Sequence, residues 1–266
     1  MKNKRALTIM FFICFIFGNW CNCKSQMANQ KDLKQKDLEN YLRTAKIVSV
    51  EIDPRGGRMA AWVIKLDDGK IARRGYFKYI NRRRPSFLPD SYKYEIAAYE
   101  LDKLLDLNRV PPVVEREIKG IKGSLQLFIG GCITENDRKR RNIEPPDPKG
   151  FENTLEDINI FENLTYNERI DTDDILIHKE DWKVWRVDFS GAFSPFSELI
   201  PGCEITRCSK KLYQNFLKLD SKIVRAKLKP YLNDEEIEAL LERKNIIIEK
   251  IQQLIEEKGE ESVLFS

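Results

Sequence analysis

From Lys46 onward, apolar and polar positions fall into short alternating runs. Three of them, Lys46 to Ile52, Met59 to Leu66 and Ile71 to Ile80, are separated by Asp53-Pro54-Arg55-Gly56-Gly57 and by Asp67-Asp68-Gly69-Lys70. Period-two runs closed by Gly, Pro and Asp turns predict an antiparallel meander. The period then lengthens: from Ser91 to Asp106, Ile96, Ala97, Leu101, Leu104 and Leu105 share one face of a predicted helix. Pro111-Pro112 stops that helix, and Val113 to Ile118 with Ser124 to Ile129 predicts a further hairpin, turned at Lys119-Gly120 or at Lys122-Gly123.

Gly130-Gly131 opens a polar stretch to Gly150 that contains Arg138-Lys139-Arg140-Arg141 and Pro145-Pro146. It reads as a loop at a lobe boundary, its basic run facing solvent. Phe151 to Leu164 returns to helical spacing, and Ile175-Leu176-Ile177 with Trp182 to Val187 predicts a small hairpin. The remainder reads as helix. Its last helix starts at Asn233 with Glu236 placed for a capping box, and Ile237, Leu240, Leu241, Ile248, Ile251 and Ile255 form its stripe. This is the element order of an α+β, bilobal, protein-kinase-like fold. An antiparallel-sheet N-lobe covers 46–130 and a mostly helical C-lobe covers 131–266.

The start of the chain has a different character. Residues 1–23 place Lys2, Lys4 and Arg5 before an apolar run from Ala6 to Phe17 and then Gly18-Asn19-Trp20-Cys21-Asn22-Cys23, the layout of an export signal. Twelve helical residues span only roughly 18 Å, against about 30 Å of bilayer core. The expected location is periplasmic, extracellular or lipid-anchored. A lipid on Cys21 or Cys23 and a plain cut nearby both stay open, and a lipid anchor is the only membrane contact expected. Residues 24–45 are polar, lysine-rich and without evident period, and read as a tether.

Charge and composition remove several functions. Taking the three early cations from the 46 Lys and Arg leaves 43 against 42 Asp and Glu. A near-neutral chain lacks the cation excess that non-specific nucleic-acid binding requires, so no nucleic-acid partner is expected. His178 is the single histidine. It excludes a three-histidine zinc site, and its setting, Ile177-His178-Lys179-Glu180-Asp181, reads as a hairpin turn. After the signal, Cys132, Cys203 and Cys208 remain. A Cys203–Cys208 disulfide and three unpaired thiols are both open.

Phosphoryl transfer needs a cation on the nucleotide phosphates, a carboxylate to orient it, oxygen ligands for a metal and a carboxylate near the attacking hydroxyl. Lys78 sits late on the third predicted strand and Glu95 on the first predicted helix. Glu168 closes a Tyr-Asn loop, Asp173-Asp174 precede the small hairpin, and Asp188 leaves it. So short a hairpin brings its ends together, and the acids at both ends could share a cation.

Taken in order, the segments Tyr94-Glu95-x-Ala97-Ala98-Tyr99-x-Leu101-Asp102, Val110-Pro111-Pro112-x-Val114, Gly123-Ser124-Leu125-Gln126, Leu164-x-Tyr166-Asn167-Glu168-Arg169, Asp174-Ile175-Leu176-Ile177 and Trp182-x-Val184-Trp185-x-Val187-Asp188-Phe189 carry a family pattern. The chain from Lys46 onward resembles the bacterial relatives of the Golgi casein kinase and four-jointed secretory-pathway kinases, atypical kinases near the phosphoinositide-kinase-like group. The resemblance implies ATP with Mg or Mn as cofactors and a protein, glycan or small molecule as acceptor. It further implies Lys78 on the phosphates, Glu95 holding Lys78 or a metal, and Asp188 with Asp173 or Asp174 on the metal. Glu168 falls where the family keeps its catalytic aspartate, and an acid stands where it keeps a metal-binding asparagine. A pseudokinase that acts as a binding or scaffold protein is the alternative that this departure implies.

Overall fold

The computed structural model describes residues 35–53, 61–83, 89–168 and 171–266. The predicted export signal, residues 24–34 of the predicted tether, and Met59 and Ala60 lie outside the described residues.

The last part of the predicted tether is helix. Gln35–Thr44 forms α1, and Leu38, Tyr41, Leu42 and Ala45 make a stripe that the surrounding polar residues mask in the sequence. Tyr41, Leu42 and Ala45 are buried against the sheet that follows. The Tyr41 hydroxyl reaches the carbonyls of Leu66 and Ile71, both at 2.9 Å. Arg116 donates to the carbonyls of Leu42 and Ala45 at 2.6 and 2.7 Å, satisfying acceptors that a helix C-terminus leaves open. The folded part therefore begins before Lys46.

Strands β1 (Lys46–Ile52), β2 (Trp62–Asp67), β3 (Ala72–Lys78), β6 (Val113–Ile118) and β7 (Ile121–Leu127) form one antiparallel sheet in the order β1-β2-β3-β7-β6. A two-residue pair, β4 (Asn81–Arg82) and β5 (Asp90–Ser91), leads into α2 (Tyr92–Leu104). The β6–β7 turn is Lys119-Gly120, both with positive φ (53° and 76°), as a two-residue hairpin turn of this hand requires. Gly123 lies inside β7 instead. A Cβ there would stand 2.3 Å from the Lys78 carbonyl oxygen and 2.6 Å from the Phe77 ring, so glycine lets β7 lie tight against the end of β3.

The stretch from Gly130 to Gly150 is more ordered than a loop. Cys132–Thr134 forms β8, which joins β9 (Ile175–His178) and β10 (Val184–Arg186) in a three-stranded sheet ordered β10-β9-β8. Thr134 then caps α3 (Glu135–Arg140) by accepting from the Asp137 amide at 3.0 Å. The basic run lies on and after this helix. Arg138 pairs with buried Glu135 at 2.6 Å and stacks over Phe151.

Helices α4 (Pro148–Thr165), α5 (Lys210–Lys218), α6 (Ser221–Leu228), α7 (Asp234–Lys258) and α8 (Glu260–Val263) build the second lobe. A parallel pair, β11 (Cys208–Ser209) and β12 (Leu264–Phe265), ties its C-terminus. The capping box at Asn233 and Glu236 is formed. Helix α2 buries Tyr94, Ala97, Ala98 and Leu101 in the same core as Phe161, Phe189, Leu240 and Ile247, and the Tyr94 hydroxyl bonds to buried Glu236 of α7. Cys132, Cys203 and Cys208 are free thiols, and Cys203 donates to Asn159 Oδ1 at 2.5 Å. Among the described residues no helix is long and apolar enough to cross a membrane.

Candidate functional site

Register places the first group. Lys78 is the last residue of β3, paired with Ser124 of β7, and its side chain leaves the sheet where the strand ends. The second comes from the first turn of α2, whose start is fixed by Ser91: its hydroxyl accepts from the Lys93 amide and its own amide donates to the Ser190 carbonyl at 2.8 Å. That contact pins the start of α2 to the segment just after β10. Asp188, in that segment, adopts a left-handed φ of 63° and accepts from the Ser190 hydroxyl at 3.0 Å.

These three residues meet. Lys78 Nζ donates to Glu95 Oε1 at 2.5 Å and to Asp188 Oδ1 at 2.7 Å. Burial alone would lower the Lys78 pKa, but the Asp188 and Glu95 carboxylates outweigh it and hold the ammonium above the ordinary lysine range. Burial pushes Asp188 up and the Lys78 charge more than reverses that, leaving it well below the usual carboxylate range. Glu95, only 3% exposed in its side chain, is pushed up by burial, with Lys78 opposing.

The two adjacent aspartates part company. Asp174 closes the 3-10 turn Thr172–Asp174, and its carbonyl accepts from the Val187 amide at 3.0 Å, which brings it beside Asp188. Burial, and next the Asp188 charge, push its pKa up to about 7. Asp173 faces away. It is exposed and accepts from Thr134 Oγ1 at 2.9 Å and Asn136 Nδ2 at 3.2 Å, so its carboxylate serves the β8–α3 junction. Of the two aspartates that the sequence offers as metal ligands, the structure brings Asp174 beside Asp188 and leaves Asp173 at the β8–α3 junction.

Glu168 follows Tyr166, whose left-handed conformation (φ 46°) ends α4. It is exposed, accepts from the Ser194 hydroxyl at 3.0 Å, and forms part of the wall of an open cavity of about 650 Å³ with Glu152, Glu156 and Glu204.

Two supporting residues escape a sequence reading. Arg186, fully buried on β10, bonds to buried Glu162 of α4 and lies 3.5 Å from Asp174 Oδ2. It balances the acids from the protein side. The available signal was an arginine at an inward position between Val184 and Phe189.

Among the described residues no three His, Cys, Asp or Glu side chains gather as a complete metal site. Asp174 and Asp188 nevertheless suit a hard divalent cation. Each is an oxygen donor, and the mutual repulsion that raises Asp174 is what a cation would relieve. Mg²⁺ is commonly held by one or two carboxylates, with waters and phosphate oxygens filling its shell.

A five-stranded lobe carrying a lysine, a helix carrying its glutamate and a helical lobe whose short hairpin exits on an aspartate define a bilobal kinase-like fold. The crystal structure of the Helicobacter pylori proinflammatory kinase CtkA matches with a TM-score of 0.52 at 11% identity, covering 80% of this chain and 96% of that one. The Shewanella oneidensis MR-1 toxin–antitoxin complex of HipA, HipB and operator DNA matches with a TM-score of 0.41 at 9% identity, over 86% of this chain and 73% of that one, a likeness too loose to carry weight. No family model matches the sequence. No curated protein matches it. The likeness is one of a kinase-like fold and does not reach the level of a family.

Proposed function

We propose that this protein is an atypical kinase-like protein that binds ATP with Mg²⁺ or Mn²⁺ between its lobes and transfers phosphate slowly to an acceptor. The observation that carries the reading is the Lys78 ammonium held between Glu95 and Asp188 from three separate elements. Phosphoryl transfer depends on positioning and charge stabilisation, and a strand lysine oriented by a helix carboxylate supplies the fixed cation that phosphate oxygens need. Asp188 and Asp174 would hold the divalent cation, which neutralises phosphate charge when bound. Within the kinases, the ordered segments from Tyr94 to Phe189 favour the Golgi casein kinase and four-jointed relatives. The pattern of residues 1–23 favours export.

Glu168 limits the rate. Its extra methylene moves the carboxylate by roughly 1 Å from where an aspartate would stand, and misplacement of that size can cost about a hundredfold. The second reading, a pseudokinase that binds nucleotide as a scaffold, draws on the same residue, exposed and tied to Ser194. The test is incubation of purified protein with labelled ATP and Mg²⁺ or Mn²⁺, with thermal stability measured in parallel. Metal-dependent stabilisation by ATP that Asp188→Ala removes supports nucleotide binding, and transfer of label separates kinase from pseudokinase. A wild-type protein that ATP and metal leave unchanged overturns both readings.

A further inference from the structure

A second cavity, of about 480 Å³, lies beside the hinge segment, and none of Lys78, Glu95, Asp174 or Asp188 lines it. That volume is in the range of small-molecule sites, about 300–1,000 Å³. Its walls come from four places: Leu38 of α1, Val110 after α2, Leu127 and Ile129 at the hinge, and Lys183 with Trp185 on the C-lobe hairpin. It therefore touches both lobes.

The wall is mostly apolar, with one unusual cation. Lys183 Nζ sits 3.6 Å from the centroid of the Trp185 ring, and among the described residues its ammonium has no carboxylate or carbonyl within hydrogen-bond reach. Burial, and next the Arg109 guanidinium, lower its pKa, while Asp102 and Asp181 oppose them. Asp102 Oδ1 accepts from the Arg109 and Val110 amides at 2.8 and 3.2 Å, and its Oδ2 makes no hydrogen bond to Lys183. Asp181 is occupied by His178 Nδ1 at 2.8 Å and the Lys183 amide at 3.1 Å. Lys179 and Glu180 complete the charged rim with opposite signs. A half-buried ammonium on an aromatic face, lacking an anionic hydrogen-bond partner, at the edge of an apolar cavity calls for a ligand with a hydrocarbon body and one anionic end.

We infer that this cavity is a second ligand site that takes a small aromatic or short aliphatic carboxylate, its body among Leu38, Val110, Leu127 and Ile129 and its carboxylate on Lys183. Asp102, which holds the Arg109–Val110 wall, belongs to α2, the helix that also carries Glu95. An occupant would brace α2 and the hinge against the C-lobe hairpin.

The full chain is titrated with 2-naphthoate and with uncharged 2-naphthamide by calorimetry, in the wild type, Lys183→Met and Ile129→Trp. Saturable naphthoate binding, at least about tenfold tighter than naphthamide, is expected of the wild type. Lys183→Met should erase the preference while leaving the weak apolar binding, and Ile129→Trp should abolish both. Absence of saturable binding to the wild type, equal affinity for the two probes, or a preference that survives Lys183→Met would each overturn the assignment. Should Ile129→Trp fail to fold, Lys183→Met, a change at a half-buried side chain, still decides. No nucleotide enters the experiment, so its failure leaves the kinase reading standing, and failure of ATP binding leaves this site standing.

Discussion

Lys78 Nζ lies 2.7 Å from Asp188 Oδ1, although the two residues are 110 positions apart and belong to different lobes. The same ammonium is 2.5 Å from Glu95 Oε1, whose side chain is only 3% exposed. Removing one partner from a buried pair strands the other, at a cost of about 3–5 kcal/mol. Lys78→Met should therefore destabilise the fold by an amount of that order in urea unfolding. Lys78→Met combined with Glu95→Leu should recover most of the loss. A single variant as stable as the wild type would show that Glu95 does not depend on Lys78.

The two neighbouring aspartates should behave differently. Asp174 feels the Asp188 charge, whereas Asp173 bonds to Thr134 and Asn136. Asp174→Asn should weaken the metal-dependent stabilisation by ATP, Asp188→Ala should remove it, and Asp173→Asn should leave it intact. Thermal shifts across a magnesium titration check all three. Equal losses at 173 and 174 would count against the assignment of the cation to Asp174.

Asp102 gives the fold a pH dependence. It is fully buried, and burial raises its pKa from 3.8 to about 6 against the pull of the Arg109 and Val110 amides. A carboxyl raised in the folded state favours folding most when protonated, so its contribution is complete below about pH 4 and is lost as pH rises through about 6. Asp102→Asn stays neutral and keeps an oxygen for both amides. The variant should gain on the wild type between pH 4 and pH 7.5, by up to about 3 kcal/mol. A stability difference that is flat over that interval would refute the shift.

Much of this arrangement can be read from residues alone because it follows local rules. The Lys78 strand, the Ser91 cap and the hairpin ending at Asp188 each announce themselves by period or by turn chemistry, and joining them needs only the element order. The failures have physical causes too. Helix α1 hides Leu38, Tyr41 and Leu42 among polar and charged residues, so its period is visible only once a sheet supplies the surface it covers. Strand β8 is three residues long and forms only by pairing with β9. Arg186 and Glu162 form a buried pair across elements, and no local pattern predicts the partner of a buried charge.

Leu42 tests the early start of the fold. It has no exposed surface and packs in the N-lobe core with Ile64, Leu66 and Phe77. Leu42→Ala should cost about 2–5 kcal/mol, the range for truncating a large buried aliphatic side chain. Loss of less than about 0.5 kcal/mol, the scale of a neutral surface change, would mean that α1 does behave as a tether.

The last prediction concerns Glu168. On the proposed reading Lys78, Asp174 and Asp188 hold phosphates and metal, and interactions made equally with substrate and transition state govern binding rather than turnover. Glu168 stands apart from that set, exposed and bonded to Ser194, and on the proposed reading it is the carboxylate that faces the acceptor hydroxyl. Glu168→Gln should therefore leave ATP-dependent stabilisation nearly unchanged while removing any transfer. Glu168→Asp shortens the side chain by one methylene, and should raise label transfer above wild type by up to about a hundredfold if reach is the sole defect. Single-turnover transfer of labelled phosphate, with stability measured on the same samples, separates the two effects. Brisk transfer by the wild type that Glu168→Asp slows would make glutamate the fitted catalytic residue here and remove the pseudokinase reading.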